Sequence, residues 1–481
     1  MIFGEYINDW AQYCKDKDDR LYNKMYKRKR RVYFMKSRVM SGLLAATMAA
    51  GLVAGTGMTV GAEEEITVSV AMLNNPICSI LADLTKEYYE AEGVKIDFAI
   101  LPENDLREKA TLEASTGGTT YDIYFTGPFE ASFWIDYGWS ENLQPYIDNM
   151  TEEQKASFDL EDIFPNIRDS LADKETGDLY ALPFFGESSF FMYNKELFEQ
   201  AGVEMPENPT WEEIYDLAVA VDDEEAGITG MTMRGAPGWG MSGAPFVTMV
   251  NAMGGQFYDM DWNATVDTPE QRAAWEMYKN ILRDAGQDDI ITYTYNECIS
   301  LMTSGKCGIW YDATSNGPNL EGADSLIKDK VGYVAAPSGW LWSWGMNMNP
   351  NSSDEKKQAA FDFMVWACSK DYVNLTLEMD SSGQSTPSGV RASTYELDEY
   401  KDLPYAQATL DAMANSDFNH PCKNEVPYVG CQYIAIPEFP EAGDKMTENL
   451  AAYVTDDMTL DEAIADTQKV FEQVAEEGGY K

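Results

Sequence analysis

Past residue 64 the chain alternates short apolar runs with amphipathic stretches. EITVSVAM (residues 65–72) alternates at period two and predicts a strand. In residues 77–93, Ile77, Ile80, Leu81 and Leu84 share one helical face, and Gly93 stops the helix. KIDFAIL (95–101) predicts a second strand, DLREKATLEASTGG (105–118) a helix ending in two glycines, and YDIYFTG (121–127) a third strand. The order β-α-β-α-β predicts a parallel, doubly wound opening, whose ligands meet the carboxyl ends of the strands. TWEEIYDLAVAV (210–221) has Thr210 as N-cap with Glu213 three residues on, a capping box. Residues 268–286 repeat that logic with Thr268, Pro269 and Gln271, and Trp275, Tyr278 and Leu282 form a core-facing stripe. SDEKKQAAFDFMVWACS (353–369) and TLDEAIADTQKVFEQVAEE (459–477) predict two more helices. In GWLWSWGMNMNP (339–350), Trp340, Trp342 and Trp344 alternate, so a strand puts three indoles on one face.

The 481 residues are too many for one ordinary core, and two domains or a two-lobed body are expected. Charge divides the chain unevenly. Residues 1–62 hold 11 Lys/Arg against 5 Asp/Glu, whereas residues 63–481 hold 24 against 76. The acidic body excludes binding to nucleic-acid phosphates and is repelled by anionic membrane surfaces. The basic leader reads as a secretory signal: KRKRR (27–31) and MKSR (35–38), an apolar segment over 42–58, and small residues at 60–62 before EEE. Cleavage is expected after Ala62, and Met25 or Met35 as the start; a membrane anchor is the rival reading of the same apolar segment. No cysteine lies at the cut, so a free exported protein, periplasmic or extracellular, is expected rather than a lipid-anchored one.

Six cysteines follow the leader. Cys298/Cys307 and Cys422/Cys431 are each nine apart and are candidate disulfides, the alternative being free buried thiols. One histidine, His420, and scattered cysteines make a poor metal site, so no metal and no cofactor are expected. GxSxG, HExxH and P-loop motifs are missing, which argues against an enzyme.

The stretch GDLYALPFFGESSFFMYNKELFEQAGVEMPENPTWEEIYDLA (177–218) resembles the signature of family 1 extracellular solute-binding proteins, the receptors of sugar-importing ABC transporters. SGKCGIWYDATS (304–315) and NPNSSDEKKQAAFDFMVWACS (349–369) look like two further elements of that family, in its order. NNP (74–76), PENDLREK (102–109), GESS (186–189), RGAPGWG (234–240), GGQFYDMDWNA (254–264) and GWLWSW look like its polyol branch, whose receptors take mannitol and sorbitol. GMNMNP in place of a more aliphatic run, and PSGVR (387–391), depart from that branch.

The resemblance implies an α/β, two-lobed, periplasmic-binding-protein-like fold of type II, closing on its ligand. It implies an N-lobe of residues 63–186 plus 347–395 and a C-lobe of 187–346 plus 396–481, with crossings near 186–190, at 340–346 and after Arg391. It implies a monomeric partner of a membrane permease, with a sugar or sugar alcohol as ligand. An oligosaccharide or charged metabolite on the same fold is the alternative; a glycoside hydrolase built on two carboxylates is a more distant one.

A polyhydroxylated ligand needs charged hydrogen-bond partners for its hydroxyls and an aromatic platform for its C–H face. The candidates stand at strand ends and crossings. They are Asn75, Glu103, Phe129 and Glu130 after the first three strands, and Glu187 and Ser188 on the first crossing. Arg234 and Trp239 stand in a Gly/Pro-rich loop, Asp312 after GIWY, and Arg391 by the third crossing. Trp340 and Trp342 are the expected stacking residues, with Trp344 as core support beside the hinge.

Overall fold

The computed structural model describes residues 65–89, 91 and 93–481. The leader and its cleavage site lie outside them. Among the described residues, nine strands form two sheets. They are β1 (Ile66–Leu73), β2 (Val94–Leu101), β3 (Ile123–Thr126), β4 (Ala181–Glu187), β5 (Ser189–Asn194), β6 (Thr229–Thr232), β7 (Cys307–Ala313), β8 (Val331–Ala335) and β9 (Trp342–Met348).

The first sheet runs β2-β1-β3-β9-β4 and the second β6-β7-β5-β8. β1 pairs in parallel with both β2 and β3, with Ile66 opposite Val94 and Leu73 opposite Leu101. The doubly wound opening read from the sequence is therefore present. β1 is apolar on both faces because helices cover both: Val68, Val70, Ala71 and Met72 are wholly buried. Helices Pro76–Tyr88 and Glu103–Thr116 supply the two crossovers, the second closed by Gly117 in the left-handed region at φ 69°.

Sheet membership defines two lobes, and the chain passes between them three times. The first passage is one residue long. β4 ends at Glu187 in the first sheet and β5 begins at Ser189 in the second, so Ser188 alone joins them. The second passage lies between β8 and β9. β9 pairs with β4 from Trp342 onward, opposite Glu187. The chain thus enters the first lobe's sheet at Trp342, earlier than the boundary at residue 347 implied by resemblance. The reason is the ladder itself, which pairs β9 over all seven of its residues. The third passage follows Arg391, which bridges Ile163 in the first lobe, while Tyr395 joins the second lobe's core.

Backbones touch at these passages. The Gly186 amide donates to the Ser388 carbonyl at 2.8 Å, and Gly389 sits at φ 71°. A Cβ added at Gly389 would lie 1.9 Å from the Gly186 carbonyl oxygen, so only glycine permits this approach.

Local sequence rules account for most helix starts. Thr210 and Glu213 form the expected reciprocal capping box. At Thr268 only half the box forms: the hydroxyl accepts from the Gln271 amide, but the Gln271 side chain donates instead to the Gln256 carbonyl. The Gln271 side chain is turned inward to that carbonyl, so its Oε1 does not reach the Thr268 amide. All six cysteines of the described residues are free thiols, five of them buried, so neither nine-residue spacing closes a disulfide. Among the described residues no helix is long and apolar enough to cross a membrane.

Candidate functional site

The carboxyl ends of the first lobe's strands face a loop and two strand ends of the second lobe. Between them lies a narrow cleft of about 60 Å³. Its walls bring together Asn75, Glu103, Glu187, Arg234, Trp239, Trp340 and Trp342 from the sequence candidates.

The first lobe contributes residues just past its strands. Asn75 caps the first helix, its Oδ1 accepting from the Ile77 amide at 2.8 Å, which leaves its Nδ2 donors for the cleft. Glu103 opens the next helix, and Arg107 follows one turn later at the spacing that lets the two meet. Arg107 Nε and Nη2 donate to Glu103 Oε1 at 3.3 and 3.1 Å, and Nη1 pairs with Glu130. The guanidinium also lies over three indoles, 4.7 Å from the Trp342 centroid, 4.8 Å from Trp239 and 4.9 Å from Trp344.

The second lobe contributes a matching unit. Arg234 Nε lies 3.2 and 3.0 Å from the two Asp312 oxygens, and Nη2 donates to Oδ1 at 2.6 Å. Nη1 donates to the Gly240 carbonyl at 3.0 Å. Asn316 Nδ2 supports Asp312 at 3.0 Å, and the Tyr278 hydroxyl holds the Arg234 carbonyl at 2.7 Å. Trp340 and Tyr295 flank the guanidinium at 5.3 and 5.2 Å. Burial works against the Arg234 charge, but Asp312 outweighs it and holds the guanidinium protonated.

Glu187 ends β4 at the first passage. Its Oε2 accepts from the Ser315 hydroxyl at 2.5 Å. Burial pushes the carboxyl up to about 7, opposed by the Ser315 hydrogen bond and by Arg234, and reinforced by Asp312 and Glu103.

Five candidates stand elsewhere. Asp312 is wholly buried behind the wall and acts through Arg234; Glu130 stands likewise behind Arg107. Phe129 packs on Trp239 and Tyr433 at 4.9 and 5.7 Å, away from the cleft wall. Ser188 is wholly buried, bonding the Ala412 carbonyl and the Ser416 hydroxyl at 2.9 and 2.7 Å, so it ties the passage to the second lobe. Arg391 lies away from the cleft, donating to the Cys368 and Asp159 carbonyls at 2.6 and 3.0 Å and pairing with Asp162. A buried guanidinium with three oxygen partners is already satisfied there.

The cleft also contains residues that the sequence reading passed over. Trp344, expected as core support, lines the wall together with Arg107, Tyr295, Ser315, Asn316 and Gln432. The Glu103/Arg107 spacing signalled a pair. Tyr295, the first residue of the helix Tyr295–Thr303, and Gln432 had no local signal, since folding alone brings them in from distant parts of the chain.

The wall thus mixes indole faces with charged hydrogen-bonding groups from two lobes. A family model for the bacterial extracellular solute-binding protein matches residues 79–374. A mannitol-binding protein of Pseudomonas aeruginosa is 33% identical over 448 residues, covering 92% of this chain and all of that one. An erythritol/L-threitol-binding protein of Mycolicibacterium smegmatis is 26% identical over 333 residues, covering 65% of this chain and 68% of that one. A solved solute-binding protein of Agrobacterium vitis, with bound D-mannitol, superposes with a TM-score of 0.79 at 34% identity, covering 86% of this chain and 99% of that one. From the sequence motifs, the two-lobed topology and these relatives together, the chain belongs to the bacterial extracellular solute-binding protein family.

Proposed function

We propose that this protein is the exported receptor of an ABC importer and captures a neutral sugar alcohol of hexitol size between its lobes. The observation that carries the reading is the wall itself: two arginine–carboxylate units, one on each lobe, beside indoles from the same row. Charge-assisted donors and acceptors suit hydroxyls, and indole faces suit the C–H side of a carbon chain. The likeness to relatives named for mannitol and for erythritol or threitol supports an open-chain ligand over a ring sugar. The ligand leaves unaltered, handed to a permease with an ATPase on another chain.

The ligand touches both lobes, binds the closed form better and shifts the population toward it. Calorimetry of the mature chain with D-mannitol, D-sorbitol, D-glucose and maltose tests this. A hexitol is expected to bind near micromolar, about −8 kcal/mol. Binding of maltose alone would overturn the hexitol assignment, and no heat with any of the four would overturn the sugar-receptor reading.

A further inference from the structure

The charges around the cleft do not balance. Two guanidiniums, Arg107 and Arg234, stand among four carboxylates, Glu103, Glu130, Asp312 and Glu187. Both guanidiniums have their charge offset, each spending three of its five N–H donors on protein oxygens. All three nitrogens of Arg107 are used on Glu103 and Glu130. All three nitrogens of Arg234 are used on Asp312 and the Gly240 carbonyl. Glu187 has the Ser315 hydroxyl and, among the described residues, no ion-pair partner within 4 Å.

Arginines in a binding cleft usually suggest an anionic ligand. Here their charge is already offset, and what faces the space is a surplus of negative charge with one uncompensated carboxylate. The acidity of the body, 76 acidic against 24 basic residues after position 62, adds to it at long range.

We propose that the cleft excludes anionic polyols and accepts cationic ones, with Glu187 taking the ammonium of an amino-substituted alditol while the arginine units and indoles hold its hydroxyl chain. This rests on the reading of the cleft as a polyol site. The arginines act as hydroxyl donors and as clamps on the indoles, not as anion receptors. The raised titration of Glu187, caused first by burial and reinforced by Asp312 and Glu103, fits a carboxylate short of positive charge.

The test compares D-mannitol, 1-amino-1-deoxy-D-mannitol and D-mannitol 1-phosphate on the unaltered chain by calorimetry, in about 0.15 M and about 1 M salt. The amine is expected to bind within tenfold of mannitol or tighter, and the phosphate at least 100-fold weaker. The phosphate's penalty should persist at high salt, where the long-range field of the surface is screened and the cleft's own charges are not. In Glu187→Gln the ratio of amine to mannitol affinity should fall at least tenfold. Mannitol binding with the phosphate comparable and the amine rejected overturns the inference but leaves the polyol reading intact. Binding of none of the three overturns both.

Discussion

Glu187 is the cleft carboxyl whose titration burial displaces. Its ordinary value is 4.5, and burial raises it to about 7 in the folded protein. The folded state therefore holds a proton that the unfolded chain has already released. As pH rises from 4.5 through 7, stability is lost, and above 7 the loss is complete. Glu187→Gln mimics the protonated form. Its unfolding free energy from denaturant titration should equal the parent's near pH 4 and exceed it at pH 8, by on the order of 1 kcal/mol after allowance for solvent near the cleft. A difference that does not grow with pH would place the carboxyl in water. Asp312 is the opposite case, a wholly buried partner of Arg234. Asp312→Asn leaves the guanidinium short of charge, and a destabilisation of about 3–5 kcal/mol is expected from denaturant titration, with ligand binding lost.

At the scale of elements, the tryptophan row is split by the start of β9. Trp342 and Trp344 lie within the strand, side by side at 5.6 Å, and both face Arg107. Trp340 precedes the strand and faces Arg234 instead. One short segment therefore supplies a platform to each arginine unit. The indoles also belong to the core: Trp340, Trp342 and Trp344 are 2–4% exposed. Core and cleft wall are thus the same three side chains. Trp342→Ala costs stability as well as affinity, about 3–5 kcal/mol by the usual measure for a large buried aromatic. A more selective probe is Gly127, which precedes the helix Pro128–Trp134. A Cβ there would lie 1.9 Å from the Trp342 ring, so the indole has to move. Gly127→Ala is expected to weaken hexitol binding at least tenfold, with tryptophan fluorescence shifted. Unchanged affinity would show that the Trp342 position does not matter to the ligand.

At the scale of the whole molecule, side-chain contacts bridge the two sheets' surroundings without any ligand. Phe129 of the first lobe packs on Trp239 and Tyr433 of the second, and Arg107 reaches over Trp239. Such contacts raise the population of the closed form, and apparent affinity scales with that population. Phe129→Ala should therefore lower affinity for every ligand by one common factor, about 3- to 30-fold, because Phe129 stands behind the wall. Small-angle scattering of the ligand-free variant should show a larger radius of gyration than the parent. A change in the order of preference among alditols would instead make Phe129 a specificity residue.

Much of this was legible in the sequence because it is local. Period-two and period-3.6 patterns marked β1, β2 and the helices that follow them, and Thr210 with Glu213 fixed a helix start, since strand pleat and caps depend on neighbours a few residues apart. The spacing of Glu103 and Arg107 on one helix face belongs to the same class. The cleft required more. Arg234 meets Asp312 across 78 residues, Gln432 reaches Leu341 across 91, and Arg107 is enclosed by indoles at 239, 342 and 344. Nothing local distinguishes Arg234, which faces the cleft, from Arg391, which is buried on internal carbonyls: both are arginines near loops of glycine and proline. Sequence determined which segments became strands and helices and that polar groups would gather at their ends. Only the tertiary structure decided which charges were offset and which, at Glu187, was left without an ion-pair partner among the described residues, because charge balance is a sum over neighbours in space, and the chain order does not specify them.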